Sequence, residues 1–149
     1  MIYTVGEMAK LLGVTASTLR YYDKEGLLPF VERSAGGIRM FRDKDYEWLK
    51  VIECLKKTGM SLKDIHRYID LAIEGDSTID ERLALFQKQK EILNAKMEEL
   101  QKTMDMLDYK CWFYETAKAA GTTKVPQNMS YSEIPKEFQD AYQQLKKQD

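Results

Sequence analysis

Cysteine and histidine are scarce in this chain of 149 residues, which holds two cysteines, Cys54 and Cys111, and one histidine, His66. Two cysteines far apart in helical patterns form no disulfide framework, and they favour a reducing, cytoplasmic location. Soft metal ions need thiolates or imidazoles at close spacing, and no cysteine follows Cys111. We therefore expect no metal site, and no motif indicates a cofactor.

Long apolar runs are also missing. No stretch of about 18 apolar residues could cross a membrane, so we expect no membrane partner. Residues 1–4 have neither a basic start nor an apolar segment, so we expect no secretory signal. Neither an acid and base pair, nor a nucleophile constellation, nor a phosphate-binding loop occurs at a readable spacing, so we expect no enzyme.

The chain has almost no net charge, at −1, but its charges are unevenly placed. Residues 10–42 contain six basic and three acidic side chains, whereas residues 71–149 contain eleven basic and fourteen acidic ones. A basic segment at one end of the chain is a weak indication of nucleic-acid binding.

Two short helices are predicted near the start of the chain. A capping-box pattern that begins at Thr4 opens the first, and Gly13 ends it. Thr15 can cap a second helix over residues 16–25. Because only three residues join the two helices, the sequence predicts a helix-turn-helix over residues 4–24.

A β-hairpin is predicted next. Residues 30–41 contain two β-prone arms around Gly36 and Gly37, and Arg33 and Arg39 flank that turn. Such a hairpin beside a helix-turn-helix has the place of a wing.

Two further helices and one very long helix complete the prediction. The third helix starts at Arg42 or Asp43 and the fourth follows Ser61. A capping-box pattern at Thr78 opens the long one, which has no glycine or proline over residues 79–120.

The long helix carries an apolar stripe at alternating steps of four and three residues, which Lys90 alone interrupts between Ile79 and Tyr114. This repeat is typical of a coiled coil. A lone helix cannot bury such a stripe, and the rest of the chain is too short to cover it, so we expect a homodimer. Cys111 lies on the same stripe and is interpreted as filler. The predicted dimerisation residues are Leu83, Phe86, Leu93, Met97, Leu100, Met104 and Leu107.

The predicted fold class is mainly α, a winged helix-turn-helix followed by a long coiled-coil dimerisation helix. The domains are expected at residues 1–75 for DNA binding, 76–120 for dimerisation and 121–149 for a polar tail. The tail has apolar residues at helical spacing from Ile134 to Leu145, which predicts a short amphipathic helix of unassigned role.

Six ordered segments carry a resemblance to a known family. They are TVGEMAK at 4–10, GVT at 13–15, TLRYYD at 18–23, GLL at 26–28, GIRMF at 37–41 and TGMSLKDI at 58–65. Together they closely resemble the MerR family of bacterial transcriptional regulators. The resemblance implies an antiparallel coiled-coil dimer on a pseudo-palindromic promoter site. It also implies activation by distortion of an overlong promoter spacer, which lets RNA polymerase engage both promoter elements.

The residue types of the second helix suit DNA recognition. A recognition helix in the major groove presents small polar and basic groups near its N-terminus. Arg20 could bind phosphate or guanine, and Tyr21 could reach the backbone, whereas Tyr22 is expected in the core. Arg33 and Arg39 of the wing would bind the flanking backbone. The candidate DNA-binding residues are Lys10, Thr15, Ser17, Thr18, Arg20, Tyr21, Arg33 and Arg39.

Cys54 is the candidate sensor. The segment around it resembles the aldehyde- and electrophile-responsive (AdhR- and NmlR-like) branch of the family, in which a cysteine at this position is the proposed sensor. Lys50 and Lys57 flank it on the helix surface and would favour the thiolate, which Glu53 partly offsets. The opposing interpretation is an inert, buried hydrophobic cysteine.

Two alternatives to this regulator stay open. In the first, the same regulator is switched by a non-covalent small ligand held between the DNA-binding lobe and the coiled coil. In the second, the chain is a coiled-coil interaction module whose N-terminal lobe binds protein instead of DNA.

Overall fold

The computed structural model describes residues 1–146, and this part of the chain contains seven α-helices and three short strands. In chain order the elements are β1 (Ile2–Tyr3), α1 (Val5–Leu12), α2 (Ala16–Lys24), β2 (Glu32–Arg33), β3 (Arg39–Arg42), α3 (Asp43–Lys57), α4 (Leu62–Glu74), α5 (Ile79–Ala120), α6 (Lys124–Gln127) and α7 (Lys136–Leu145). The chain forms two compact units, of which the first is Met1–Ile92 and the second begins at Leu93. No helix among residues 1–146 is long and apolar enough to cross a membrane.

The boundaries of α1 and α2 confirm the predicted helix-turn-helix. The backbone N–H of Glu7 donates to Oγ1 of Thr4 (3.3 Å), and the Glu7 carboxylate accepts from the Thr4 backbone N–H (2.8 Å), which completes the capping box. Gly13 ends α1 at a φ of 71°, a left-handed conformation that glycine adopts without strain. Oγ1 of Thr15 then caps α2 by accepting from the backbone N–H of Thr18 (3.1 Å).

The predicted hairpin forms, and it belongs to a three-stranded antiparallel sheet in the order β1-β3-β2. Glu32 pairs with Met40 and Arg33 with Arg39, while Gly37 turns the chain at a φ of 77°. Strand β1 was not predicted, because two residues are too few to show the alternation that identifies a strand.

One core holds the first unit together. Thirteen residues from α1 to α4 and the segments between them are buried in it. The fully buried side chains include Met8, Leu19 and Tyr22 from the helix-turn-helix, with Leu49 and Ile52 from α3. Helix α2 therefore buries one face in this core and leaves the opposite face exposed.

The predicted capping box at Thr78 is wrong. A 3-10 turn, Asp76–Thr78, precedes α5, and Thr78 is buried. Its hydroxyl donates to the carbonyl oxygens of Leu71 and Gly75, so it caps no N–H group of α5 and instead closes the end of α4.

The second unit packs the tail onto α5. Tyr109 and Phe113 of α5 are buried with Ile134 and Ala141, and the predicted tail helix is α7. The rings of Trp112 and Phe138 stack at 5.7 Å between centroids, and Tyr109 meets Tyr142 edge-on at 6.2 Å. The tail thus covers a face of α5 that does not carry the apolar stripe.

Candidate nucleic-acid interface

Helix α2 presents a polar, basic face to solvent. Ser17, Arg20, Tyr21 and Lys24 follow one another at helical spacing and are all exposed. The Tyr21 side chain is 47% exposed, whereas Tyr22 is completely buried, which confirms that only the first of the two tyrosines faces outward. The exposed face offers a guanidinium, two hydroxyls and an ammonium, which are the donors that bind phosphates and base edges.

The remaining polar candidates differ in how much hydrogen-bonding capacity they keep. The hydroxyls of Thr15 and Thr18 lie 2.9 Å apart, and Thr15 also caps α2, so both threonines serve the helix N-terminus. Lys10 is exposed in the last turn of α1. Thr15 and Thr18 thus lie at the N-terminal end of α2, and Lys10 of α1 adds a positive charge to the helix-turn-helix.

Both wing arginines form ion pairs with α2. Nη2 of Arg33 donates to Oδ2 of Asp23 (2.6 Å), and Nε of Arg39 donates to the same oxygen (2.8 Å). Nη1 of Arg33 also donates to the carbonyl oxygen of Gly37 (3.1 Å), which ties the side chain to the turn of the wing. The two guanidinium groups are therefore held in place by contacts within the chain.

Asp23 was not recognised as a site residue from the sequence. In the sequence Asp23 has the pattern of an ordinary surface charge among residues expected to bind DNA. No periodic spacing relates it to the hairpin that begins about ten residues later. One signal was available. In a tight hairpin Arg33 and Arg39 lie opposite each other, and such a pair needs a counter-charge.

The rear of α2 is fixed to α3 by a buried hydroxyl. The Tyr22 hydroxyl donates to Oε1 of Glu53 (2.6 Å) and accepts from Nζ of Lys56 (3.0 Å). Burial of the ring, and secondly the hydrogen bond to Glu53, raise the pKa of Tyr22, so it stays protonated as a donor. The sequence placed Tyr22 in the core but did not reveal these partners.

Cys54 lies on α3 immediately after Glu53, and its side chain is exposed. The interpretation as a buried cysteine is therefore wrong for the single chain. Of the two lysines expected beside it, Lys50 has its ammonium 5.6 Å from the centre of the Tyr46 ring. A reagent in solvent can reach the Cys54 thiol.

Metal ligands do not gather anywhere in residues 1–146, where no group of three or more histidine, cysteine, aspartate or glutamate side chains could hold an ion. Nδ1 of His66 lies 3.0 Å from Oδ2 of Asp70 on the same helix. This pair is partly exposed to solvent.

An open groove of about 370 Å³ lies in the first unit between α4 and the first turns of α5. Met60, Leu71 and Leu85 give it an apolar floor. Arg67 and Glu81 form an ion pair at its rim, with 3.2 Å between Nη2 and Oε2. Its volume is at the lower end of the range for small-ligand sites.

Two family models match the chain. The one for MerR HTH family regulatory proteins matches residues 3–72, and the one described as MerR, DNA binding matches residues 46–109. An uncharacterized HTH-type transcriptional regulator of Haemophilus influenzae is 51% identical over 124 residues, which are 83% of this chain and 92% of that protein. This chain belongs to the MerR family.

One solved structure and one further relative also resemble this chain. The crystal structure is that of HiNmlR, a MerR family regulator lacking the sensor domain, bound to promoter DNA. Its sequence is 50% identical to this chain and its fold matches with a TM-score of 0.74, over 84% of this chain and 99% of that one. The regulator AdhR of Bacillus subtilis is 40% identical in sequence over 78 residues, which are 52% of this chain and 56% of that protein.

These relatives confirm the resemblance seen in the sequence. The chain is a MerR-type DNA-binding transcriptional regulator, with the helical, winged helix-turn-helix fold of that family. Its relatives are regulators of transcription and not enzymes, and they give no support to a lobe that binds protein in place of DNA.

Proposed function

We propose that this MerR-family regulator binds a two-fold promoter site as a homodimer and alters the promoter spacer, so that RNA polymerase can engage both promoter elements. Residues 1–75 would bind DNA, 76–120 would dimerise, and 121–149 would form the tail. It would act in the cytoplasm, where bacterial promoters are found. The observation that carries the proposal is the exposed α2 face around Arg20 and Tyr21, beside a wing whose arginines are already in place.

The candidate residues divide into two tasks. Arg20 reads a guanine edge or a phosphate from the major groove, and Tyr21 and Ser17 contact the backbone beside it. Arg33 and Arg39 bind phosphates that flank the groove. HiNmlR, half of whose matched residues are identical to this chain, was crystallised on promoter DNA, which supports this placement. Thr15, Thr18 and Lys10 complete the proposed contact set.

A binding titration on the DNA upstream of the chain's own gene tests this. Arg20→Ala should weaken binding about 10-fold to 100-fold, the effect expected for one bidentate base contact. Lys102→Ala, which removes one positive charge from exposed α5, is the matched control and should leave the affinity unchanged. Wild-type protein without a salt-sensitive, sequence-specific shift would contradict the proposal.

The homodimer is supported by the stripe on α5. In the first unit Leu83 and Phe86 are exposed, and in the second unit so are Leu93, Met97 and Leu100. Met104 and Leu107 continue the stripe and are exposed as well. An apolar surface of this length is costly in water, and a second copy presents the complementary stripe.

For the signal, we propose that an aldehyde or another electrophile modifies Cys54. The Cys54 Sγ would add to the carbonyl carbon of an aldehyde, the π bond would break, and the thiol proton would move to the oxygen, which gives a hemithioacetal. Glu53, the preceding residue, holds the Tyr22 hydroxyl at 2.6 Å, so an adduct on this turn of α3 acts next to the anchor of the recognition helix.

Promoter transcription with and without aldehyde, paired with mass spectrometry of the protein, tests this sensor. Cys54→Ser should abolish the transcriptional response and the adduct. Cys111→Ser is the matched control, because Cys111 is also exposed in the single chain but lies on the proposed dimer stripe. A response that survives in Cys54→Ser would contradict covalent sensing at this residue.

The groove between α4 and α5 favours a second candidate signal, a non-covalent small ligand. Ala84 lines the groove, and Ala84→Phe would reduce its volume. Under this alternative Ala84→Phe loses induction while Cys54→Ser keeps it; covalent sensing predicts the reverse.

A further inference from the structure

The two strands of the wing place like charges against each other. Arg33 and Arg39 are register partners in the antiparallel β2–β3 pair, so their side chains leave the sheet on the same face. Like charges directly opposite one another destabilise a strand pair. The wing therefore needs a counter-charge if both arginines are to point in one direction.

Asp23 of α2 supplies that counter-charge from outside the hairpin. A single oxygen, Oδ2, accepts from Nη2 of Arg33 at 2.6 Å and from Nε of Arg39 at 2.8 Å. The Asp23 side chain is 17% exposed while that of Arg33 is 49% exposed, so the acid is the more shielded partner of the pair. Hydrogen bonds between ionised groups are shorter and stronger than those between neutral groups.

A second ion cluster on the wing differs in one respect. Glu32 accepts from Nη2 of Arg42 (2.8 Å) and lies 3.9 Å from Nζ of Lys44, so it too pairs with two cations. Both of those cations belong to β3 or to the first turn of α3, and the Glu32 side chain is 47% exposed. Glu32 therefore does not connect the wing to the recognition helix, whereas Asp23 does.

We propose that Asp23 is a positioning residue for DNA binding, which locks the wing to α2 so that the recognition helix and the wing arginines engage DNA as one rigid unit. The proposal rests on the proposed phosphate contacts of Arg33 and Arg39. It predicts that removal of Asp23 changes the affinity for DNA in the direction opposite to that expected from simple electrostatics. An acid beside DNA repels phosphates, so its removal alone should tighten binding, whereas loss of a positioning residue weakens it.

The test is a fluorescence-anisotropy titration of the full-length chain on the DNA upstream of its own gene, at several salt concentrations. Asp23→Asn should weaken binding roughly tenfold, the scale of coupling between residues in one ion-pair network. It should also lower the salt slope by about 1, as expected when one phosphate contact is lost. Glu32→Gln, the matched control, removes an acid from the wing itself and should leave binding unchanged or tighter.

Two further measurements separate positioning from general damage. In hydroxyl-radical footprints Asp23→Asn should lose protection where the wing lies and keep it where α2 lies, whereas a misfolded protein would lose both. In an Arg33→Gln/Arg39→Gln background Asp23→Asn should cause no further weakening, since its partners are gone.

Affinity of Asp23→Asn equal to or tighter than that of the wild type overturns the inference, as does an equal loss of both protections. Wild-type protein that shows no specific, salt-sensitive binding contradicts the proposed function instead. Specific wild-type binding with an unchanged Arg33→Gln/Arg39→Gln variant would also remove the basis of the inference, because the wing would then make no phosphate contact.

Discussion

The Tyr22 hydroxyl donates a 2.6 Å hydrogen bond to Glu53, which joins the recognition helix to the helix that carries Cys54. The same hydroxyl accepts from Lys56 at 3.0 Å, and the Lys56 ammonium lies 4.9 Å from the centre of the Tyr22 ring. Tyr21, the preceding residue, faces outward. Tyr22 therefore anchors α2 to α3, whereas Tyr21 lies on the exposed face of α2.

Tyr22→Phe should destabilise the first unit. The substitution keeps the buried ring but removes the hydroxyl, which leaves Glu53 and Lys56 each without one partner. We expect the free energy of unfolding to fall by about 2 kcal/mol, the usual cost of a lost hydrogen bond to a charged group. Urea denaturation followed by circular dichroism measures this.

Tyr21→Phe is the control for that experiment, because the Tyr21 ring is exposed and the change removes the same atom. It should leave stability within about 0.5 kcal/mol of wild type, as surface substitutions usually do, while lowering affinity for operator DNA. Equal effects of the two variants on stability would contradict the division of roles.

Alkaline pH should reduce the contribution of the Tyr22 hydroxyl to the free energy of unfolding. Burial is the larger cause that raises the pKa of Tyr22 and the hydrogen bond to Glu53 is the smaller one, whereas an unfolded tyrosine ionises at about pH 10. Below that value the side chain is protonated in both states. Above it the unfolded chain ionises first, so the free energy of unfolding falls as pH rises toward the pKa of the folded state.

Comparison of wild type with Tyr22→Phe in urea at about pH 9 and about pH 11 measures this effect, since those values bracket the unfolded pKa. The free energy of unfolding of the wild type should exceed that of Tyr22→Phe by less at the higher pH. Tyr3, Tyr68 and Tyr109 also have raised pKa values, but they are present in both proteins and cancel in the difference. A difference that stays constant would contradict the assignment.

Local signals explain why the sequence predicted the helix-turn-helix and the hairpin. Thr4, Gly13 and Thr15 act on backbone groups within four residues, so their pattern can be read directly. The Asp23 pairing with Arg33 and Arg39 joins residues 10 and 16 positions apart and depends on how the hairpin folds over α2. Such tertiary partners leave no periodic trace in one sequence.

Thr78 and the tail show the same limit. Thr78 had the residue type of a helix cap, yet the chain folds so that its hydroxyl bonds backward to Leu71. Helical spacing predicted α7, but spacing cannot name the surface that receives it. That surface is the Tyr109 and Phe113 face of α5, because the stripe residues occupy another.

Loss of packing under the tail should weaken the second unit without disturbing the stripe. Ile134 is buried against Tyr109 and Phe113, and Ile134→Ala should cost about 2 to 4 kcal/mol through the cavity that it leaves. Val125→Ala is the control, because Val125 is exposed. Thermal denaturation measures the loss, and sedimentation should show an unchanged dimer below the transition; a dissociated dimer would mean that the two faces depend on each other.

The dimer stripe itself is tested by one charge placed on either side of α5. Leu100 is 68% exposed in the single chain, and Leu100→Glu would bury a carboxylate in each copy of the proposed seam. Because a buried leucine contributes about 1.5 to 3 kcal/mol and two are lost per dimer, we expect Kd for dimerisation to rise at least about 100-fold. Ala95→Glu adds the same charge on the opposite, exposed side of the helix and should leave Kd unchanged. Sedimentation equilibrium measures both constants.

Operator affinity should fall with Leu100→Glu alone, since each half-site would then be bound by an unlinked copy. If both variants remain dimers, the stripe is not the seam.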